Sequence, residues 1–294
     1  MVLSRAETQG RARRGGGWTT LLLLSPSVLM LVAFLLIPLF IVVKYSFSGS
    51  DPYGGVTSTL TLENYRALFR PLYVPIFLRS VELAAATTLV SLLVGYPVAY
   101  FLAFRAGRFA PLLLMAMIVP FWTNFLVRIS AWMTLLNDQG VINATLQAVG
   151  LTGRPLRMVP TSGAVLVGLL YAFLPSAVFP IYASLRSVEP SLLEAAQDLG
   201  CGAIATHRRI VLPVALPGIV AAALLVFIPA LGVFVIPVLL GGGKQIMIGN
   251  LIVTLYLEFR NIPFGAAISV VLLLIVSIGI AGFLKLSGAA RRFA

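Results

Sequence analysis

The sequence predicts an all-α integral membrane protein with six transmembrane helices, and composition, apolar runs and charge placement all point there. Apolar residues fill 60% of the 294 positions and charged residues 10%, with a mean hydropathy of +1.02. A soluble domain carries about 25% charged residues, so this chain cannot cover a water-facing surface. Its apolar residues gather into six runs, each long enough to cross about 30 Å of hydrocarbon as a helix. A helix is the only open-ended element that satisfies its own backbone groups in lipid. The Lys and Arg residues cluster in the connections between runs, where membrane insertion selects them.

The runs occupy 20–47, 74–104, 110–136, 164–185, 211–240 and 264–284. The first follows Arg11, Arg13 and Arg14, as a signal peptide would. Its apolar stretch is too long for one, and no small-x-small cleavage site follows, so it reads as a true span. The Gly- and Arg-rich segment 1–18 reads as a disordered basic tail. Residues 19–286 form the membrane domain, with a functional loop at 187–212, and 287–294 form a C-terminal tail.

Orientation follows from counting cations. Twelve of the 21 Lys and Arg, among them Arg105, Arg108, Arg186, Arg208 and Arg209, lie on the side with the shorter connections. That side is cytoplasmic, which puts both termini on the inner side of the membrane. Loops near 48–73, 137–163 and 241–263 then face outward, and a short helix is expected at 141–149. No internal repeat marks an inverted-repeat carrier.

Several function classes are excluded. The net charge of +12 is scattered through short loops, without the basic stripe interleaved with aromatics that a nucleic-acid groove needs. Cys201 and His207 are the sole cysteine and histidine, which leaves neither a metal cluster nor a Ser-His or Cys-His nucleophile. Gly241-Gly242-Gly243-Lys244 lacks the earlier glycine of a phosphate loop and has Gln245 where Ser or Thr is needed. It reads as a turn. The chain is expected to be no enzyme, with no catalytic residue and no cofactor or metal of its own.

The connection between the fourth and fifth runs is long and patterned. Pro190 sets its entry, and Ser191-x-x-Glu194 reads as a capping box. Leu192, Leu193, Ala196 and Leu199 share one helical face, with Glu194, Gln197 and Asp198 away from it. Gly200 supplies a left-handed C′ position, and a second helical run at 203–212 leads to Pro213 at the start of the next span. A helix, a glycine corner and a second helix suit a groove on a soluble partner.

Glu194-Ala195-Ala196, then Gly200, then Ile210-x-Leu212-Pro213 resembles the EAA loop of binding-protein-dependent ABC importer permeases at every signature position. The resemblance implies an importer-type permease fold whose coupling helices dock on ATPase subunits. It implies two ATPase subunits that carry ATP and Mg, a second homologous permease, and an extracytoplasmic substrate-binding protein. Pro120-Phe121-Trp122-Thr123-Asn124 with Arg128 and Ala131-Trp132 is similar to the third span of spermidine/putrescine permeases, first permease subunit. So are Asp138-x-Gly140-x-Ile142-Asn143, Pro229-Ala230-Leu231-Gly232 with Pro237, and Ile248-Gly249-Asn250-Leu251. A small organic cation of polyamine type is the implied cargo; related permeases pass opines, phosphonates or ferric ions.

The residues also carry a reading of their own. Pro120, Pro229 and Gly232 interrupt the helical ladder within the third and fifth runs and are candidate gate positions. Trp122 and Trp132 stack on a cation or belong to an aromatic belt. Asn124 lines a path or bonds across helices, and Arg128 snorkels outward or pairs with a carboxylate. Glu82 and Asp138 are the acids placed to accept ammonium groups, although Arg79, three residues before Glu82, offers a merely structural partner. A stand-alone carrier or channel remains the rival class, and it predicts transport by this subunit alone.

Overall fold

The computed structural model describes residues 16–51 and 55–290. Residues 1–15 and 291–294, the outer parts of the two expected tails, lie outside the described residues. Chain order runs α1 (Gly16–Ser46), an antiparallel ribbon of β1 (Ser48–Ser50) and β2 (Val56–Leu60), α2 (Glu63–Ala67) and α3 (Val74–Phe104). There follow α4 (Ala110–Ile118), α5 (Phe125–Leu136), α6 (Val141–Ala148), α7 (Ser162–Leu185), α8 (Pro190–Asp198) and α9 (Ala203–Thr206). The chain closes with α10 (Leu212–Gly232), α11 (Val235–Gly241), α12 (Ile248–Leu257) and α13 (Ile262–Ala290). Among the described residues, five helices are long and apolar enough to span a membrane, and one bent pair makes a sixth.

The core is the mutual packing of α3, α7 and α10. Lipid gives helices no hydrophobic reason to associate, so contact depends on small residues that let backbones approach. Ala99 and Ala103 of α3, Ala177 of α7, and Ala215 and Ala222 of α10 supply that surface, all buried. Gly218 marks the tightest approach: a Cβ there would lie 2.6 Å from the Pro180 carbonyl oxygen and 2.5 Å from the Ser184 Cβ. Beside it the Ser184 hydroxyl donates to the Val214 carbonyl at 2.8 Å. The helix α1 packs along α13 at the edge, with Leu29, Phe34 and Phe40 about 70% exposed to lipid or a neighbour.

Two runs depart from the continuous spans expected. The third is broken, and its halves, Gly107–Trp122 and Phe125–Ala148, meet at 93°. After Pro120 the chain tightens into a 3₁₀ turn over Val119–Trp122, and Thr123 goes extended. Asn124 then caps a new helix, its Oδ1 accepting from Leu126 N–H at 2.8 Å. A missing donor at Pro120 followed by a good N-cap turns a kink into a corner. The fifth run, expected to reach 240, stops at Gly232. Val233 is extended there, and α11 starts afresh. A Cβ on Gly249 would lie 2.4 Å from the Gly232 carbonyl oxygen, so the end of α10 is wedged against the start of α12.

The connections after α1, α5 and α11 are structured. Asn64 donates to the carbonyls of Ser46 and Ser48 at 3.1 and 2.8 Å, which ties α2 to the ribbon. Asn143, fully buried, donates to the carbonyls of Asn137 and Leu156 and accepts from Leu156 N–H, closing the loop that contains α6. Gly242 and Gly243 take φ of 56° and 73°, so the Gly-rich stretch is a turn joining α11 to the segment before α12. Arg79 Nε donates to Gln245 Oε1 at 2.8 Å and Nη2 donates to the Ser162 hydroxyl. Arg79 is therefore engaged with α7 and this turn rather than with Glu82.

Candidate functional site

The loop between α7 and α10 folds into two helices at a glycine corner. Pro190 has no N–H to give and a φ suited to helix, so it takes the first helical position, and Glu189 becomes the cap. The capping box expected at Ser191 and Glu194 is therefore not formed. Ser191 instead donates to Glu189 Oε2 at 3.3 Å, and Glu194 is exposed in the second turn. The C-terminal end follows its expected geometry. Gly200 has φ 77°, its N–H bonds to the Gln197 carbonyl at 2.8 Å, and Cys201 N–H bonds to Ala196 at 2.9 Å. This is the paired closure of a Schellman motif. No atom lies within 4 Å of a Cβ built on Gly200, so backbone conformation, not space, requires glycine there.

Beyond the corner, α9, a π turn over His207–Val211 and α10 form one apolar helical run, Ala203–Gly232. The π turn has a local cause. Pro213 lacks an N–H and its ring would strike the carbonyl four residues back, so the preceding turn widens to admit it. Of the signature residues, Ala196 is buried, Ile210 is half-buried, and Glu194, Ala195, Gly200, Leu212 and Pro213 are exposed.

Two contacts fix the loop to the core. Leu193 packs against the α3–α7–α10 cluster. His207 Nε2 lies 3.0 Å from the Tyr96 hydroxyl of α3, with the Tyr100 ring edge-on at 5.3 Å. Tyr96 and His207 are 111 positions apart, and nothing in the sequence signals their meeting. A cavity of about 300 Å³ lies beside them, lined by Tyr100, Phe104, Leu193, Gln197 and Cys201 among others. The rest of the apolar surface is open: Leu192, Leu199 and Ile204 are 46%, 84% and 78% exposed. Only part of the leucine face serves this chain's own core.

The candidate pathway residues do not converge. Glu82 is exposed on α3, Trp122 is 81% exposed at the corner of the broken span, and Asp138 is exposed beyond α5. Asn124 is the α5 cap. Among the described residues, none of these four side chains hydrogen-bonds another. Pro120 lies just ahead of the corner, while Pro229 and Gly232 mark the end of α10. The sequence did not signal the cluster inside that corner. Phe121 stacks on Tyr171 of α7 at 6.4 Å, and Trp132 meets the same ring edge-on at 5.4 Å. Arg128 sits 4.4 Å from the Phe121 centroid and 5.8 Å from that of Phe125.

Residues 95–286 match the family described as binding-protein-dependent transport system inner membrane component. The chain is 41% identical over 248 residues to the spermidine/putrescine transport system permease protein PotB of Escherichia coli, covering 84% of this chain and 90% of that one. It is 38% identical to the Haemophilus influenzae protein of the same name, covering 84% and 87%. Against the inner membrane ABC transporter permease protein YdcU of Escherichia coli it is 35% identical, covering 80% and 78%. Among solved structures, a bacterial ABC transporter involved in the import of the acidic polysaccharide alginate aligns with a TM-score of 0.75 at 17% identity, over 94% of this chain and 96% of that chain. A second structure of a bacterial alginate ABC transporter, in complex with an alginate pentasaccharide-bound periplasmic protein, gives 0.74 at 16% identity, over 92% and 94%.

Proposed function

Because the chain belongs to the family of binding-protein-dependent transport system inner membrane components, we propose that it is a polyamine-passing permease subunit of an ATP-driven importer. The single observation that carries the cargo is its 41% identity to a spermidine/putrescine permease across 90% of that protein's length. Its cargo is a small organic cation such as spermidine or putrescine, handed over by a soluble binding protein on the outer side. A second, similar permease completes the path, and both termini face the cytoplasm. ATP and Mg are held by two separate ATPase subunits.

The docking loop supplies the mechanism. The exposed side chains of Leu192, Leu199 and Ile204 offer an apolar ridge to a groove on one ATPase, and the second permease serves the other. Closure of the ATPase pair on ATP displaces α8 and α9. Since α9 continues without a break into α10, that displacement enters the membrane as movement of a rigid span, and the core helices switch the face on which the path opens. Glu194, Ala195, Ala196, Gly200, Ile210, Leu212 and Pro213 are the coupling residues.

The test is ATP-driven spermidine uptake into vesicles that hold the complete importer. Uptake is expected with all subunits present and absent without the ATPase. Glu194→Lys should lose both ATPase binding and uptake while this chain still inserts. Ion-gradient-driven uptake by this chain alone would instead establish the stand-alone carrier.

A further inference from the structure

Arg128 is out of place by every ordinary criterion. It lies in the first turn of α5, where the partial positive charge of a helix start repels a cation. Its Nε and Nη1 are buried without an acceptor, and among the described residues its guanidinium makes no hydrogen bond at all. The Phe121 ring beneath it stacks on Tyr171, which lies roughly 14 Å along α7 from Ser162 at 1.5 Å per residue. An unpaired cation at membrane depth is costly and marks a functional position. What holds it is the faces of Phe121 and Phe125, at 4.4 and 5.8 Å.

Its Nε and Nη1 are closed off by this chain's own atoms. The favourable contact is cation on ring, and the rings belong to a larger aromatic group with Tyr171 and Trp132. We infer that the Arg128 guanidinium is a tethered stand-in for the cargo: it occupies an aromatic cation seat at the corner of the broken span, and an organic cation entering the path displaces it. This inference rests on a cationic cargo. The idle donors make the seated state weakly held, and they gain acceptors once the side chain swings out. An empty importer then keeps its seat filled by its own charge instead of by stray cations.

The assembled importer is used for the test, as wild type, Arg128→Met and Arg128→Lys. Arg128→Met should lower the half-saturating spermidine concentration for uptake about five-fold, the scale of one cation–π contact, and should raise cargo-independent ATP hydrolysis. Arg128→Lys should stay near wild type. An assembled Arg128→Met complex with unchanged or weaker half-saturation would overturn the inference. If that variant fails to assemble, the wild type decides through phenylglyoxal labelling of Arg128, read by mass spectrometry. Labelling should rise with spermidine or with tetramethylammonium, which fits an aromatic seat whether or not it is carried; no rise with either overturns the inference. Absence of spermidine uptake by the wild type counts against the polyamine reading alone, since the labelling result stands apart from it.

Discussion

The segment from α8 to the π turn takes its shape from residues next to one another. The segment from α11 to α12 is held by groups far away in the chain. Pro190 starts α8, Gly200 ends it, and Pro213 widens the turn before α10, each acting within five residues. Between α11 and α12, Gln245 is held by Arg79, 166 positions earlier, and Ile248 N–H bonds to the Ser80 hydroxyl, 168 positions earlier, at 2.8 Å. A locally determined element keeps its form while its surroundings move. The segment from α11 to α12 has no such independence. Its form depends on the bundle being assembled.

The contrast can be broken by substitution, and the largest effect is expected at the glycine corner. Gly200→Pro removes the N–H that closes α8 and forbids φ 77°, a local cost of about 3 kcal/mol or more. ATPase capture by the purified permease should vanish while thermal unfolding of the bundle barely changes; retained capture would show that the corner is not needed. Gly249→Ala should do the reverse. Its Cβ meets the Gly232 carbonyl oxygen at 2.4 Å, so overpacking of about 1–3 kcal/mol should lower the thermal midpoint and leave ATPase capture intact. Gln245→Ala leaves Arg79 and Ser162 without their shared acceptor, at about 1 kcal/mol. Its expected mark is faster proteolysis within 241–247, compared with wild type in the same detergent. Tyr96→Phe is the smallest change. It deletes only the hydroxyl beside His207, about 1 kcal/mol at most, and sharpens the contrast by loosening the loop's anchor to α3. ATP-driven uptake should fall by less than half; a complete loss would make this long-range contact, and not the local corner, the essential one.

The same division explains what the sequence made legible. Six apolar runs and the glycine corner are local patterns; four of the runs and the corner recur as expected, while the third run is broken and the fifth stops at Gly232. The capping box was misplaced by one rule competing with another: Pro190 claims the first helical position, so Ser191 falls inside the helix. Pro120 signalled a kink, but the 93° corner needed Asn124 to act as a cap, a role that its setting in an apolar run concealed. The end of α10 at Gly232 depends on Gly249 pressing on it, and the meeting of His207 with Tyr96 depends on α3 lying beside the loop. Arg128 read as a cation that snorkels outward or pairs with a carboxylate; only the fold puts the Phe121 and Phe125 rings beside it. Pairings between distant segments leave no mark in either segment alone.

The π turn before Pro213 also sets a phase. One residue corresponds to about 100° of rotation around a regular α-helix, and a turn that holds an extra residue shifts everything after it by that step. Ala215, Gly218, Ala222 and Val226 face the core because of that offset. Removal of a single residue between His207 and Val211 would leave the docking loop and the span each well formed, yet turn the small-residue face of α10 away from α3 and α7. The loop and the span thus behave as two gears whose meshing is fixed by one added tooth.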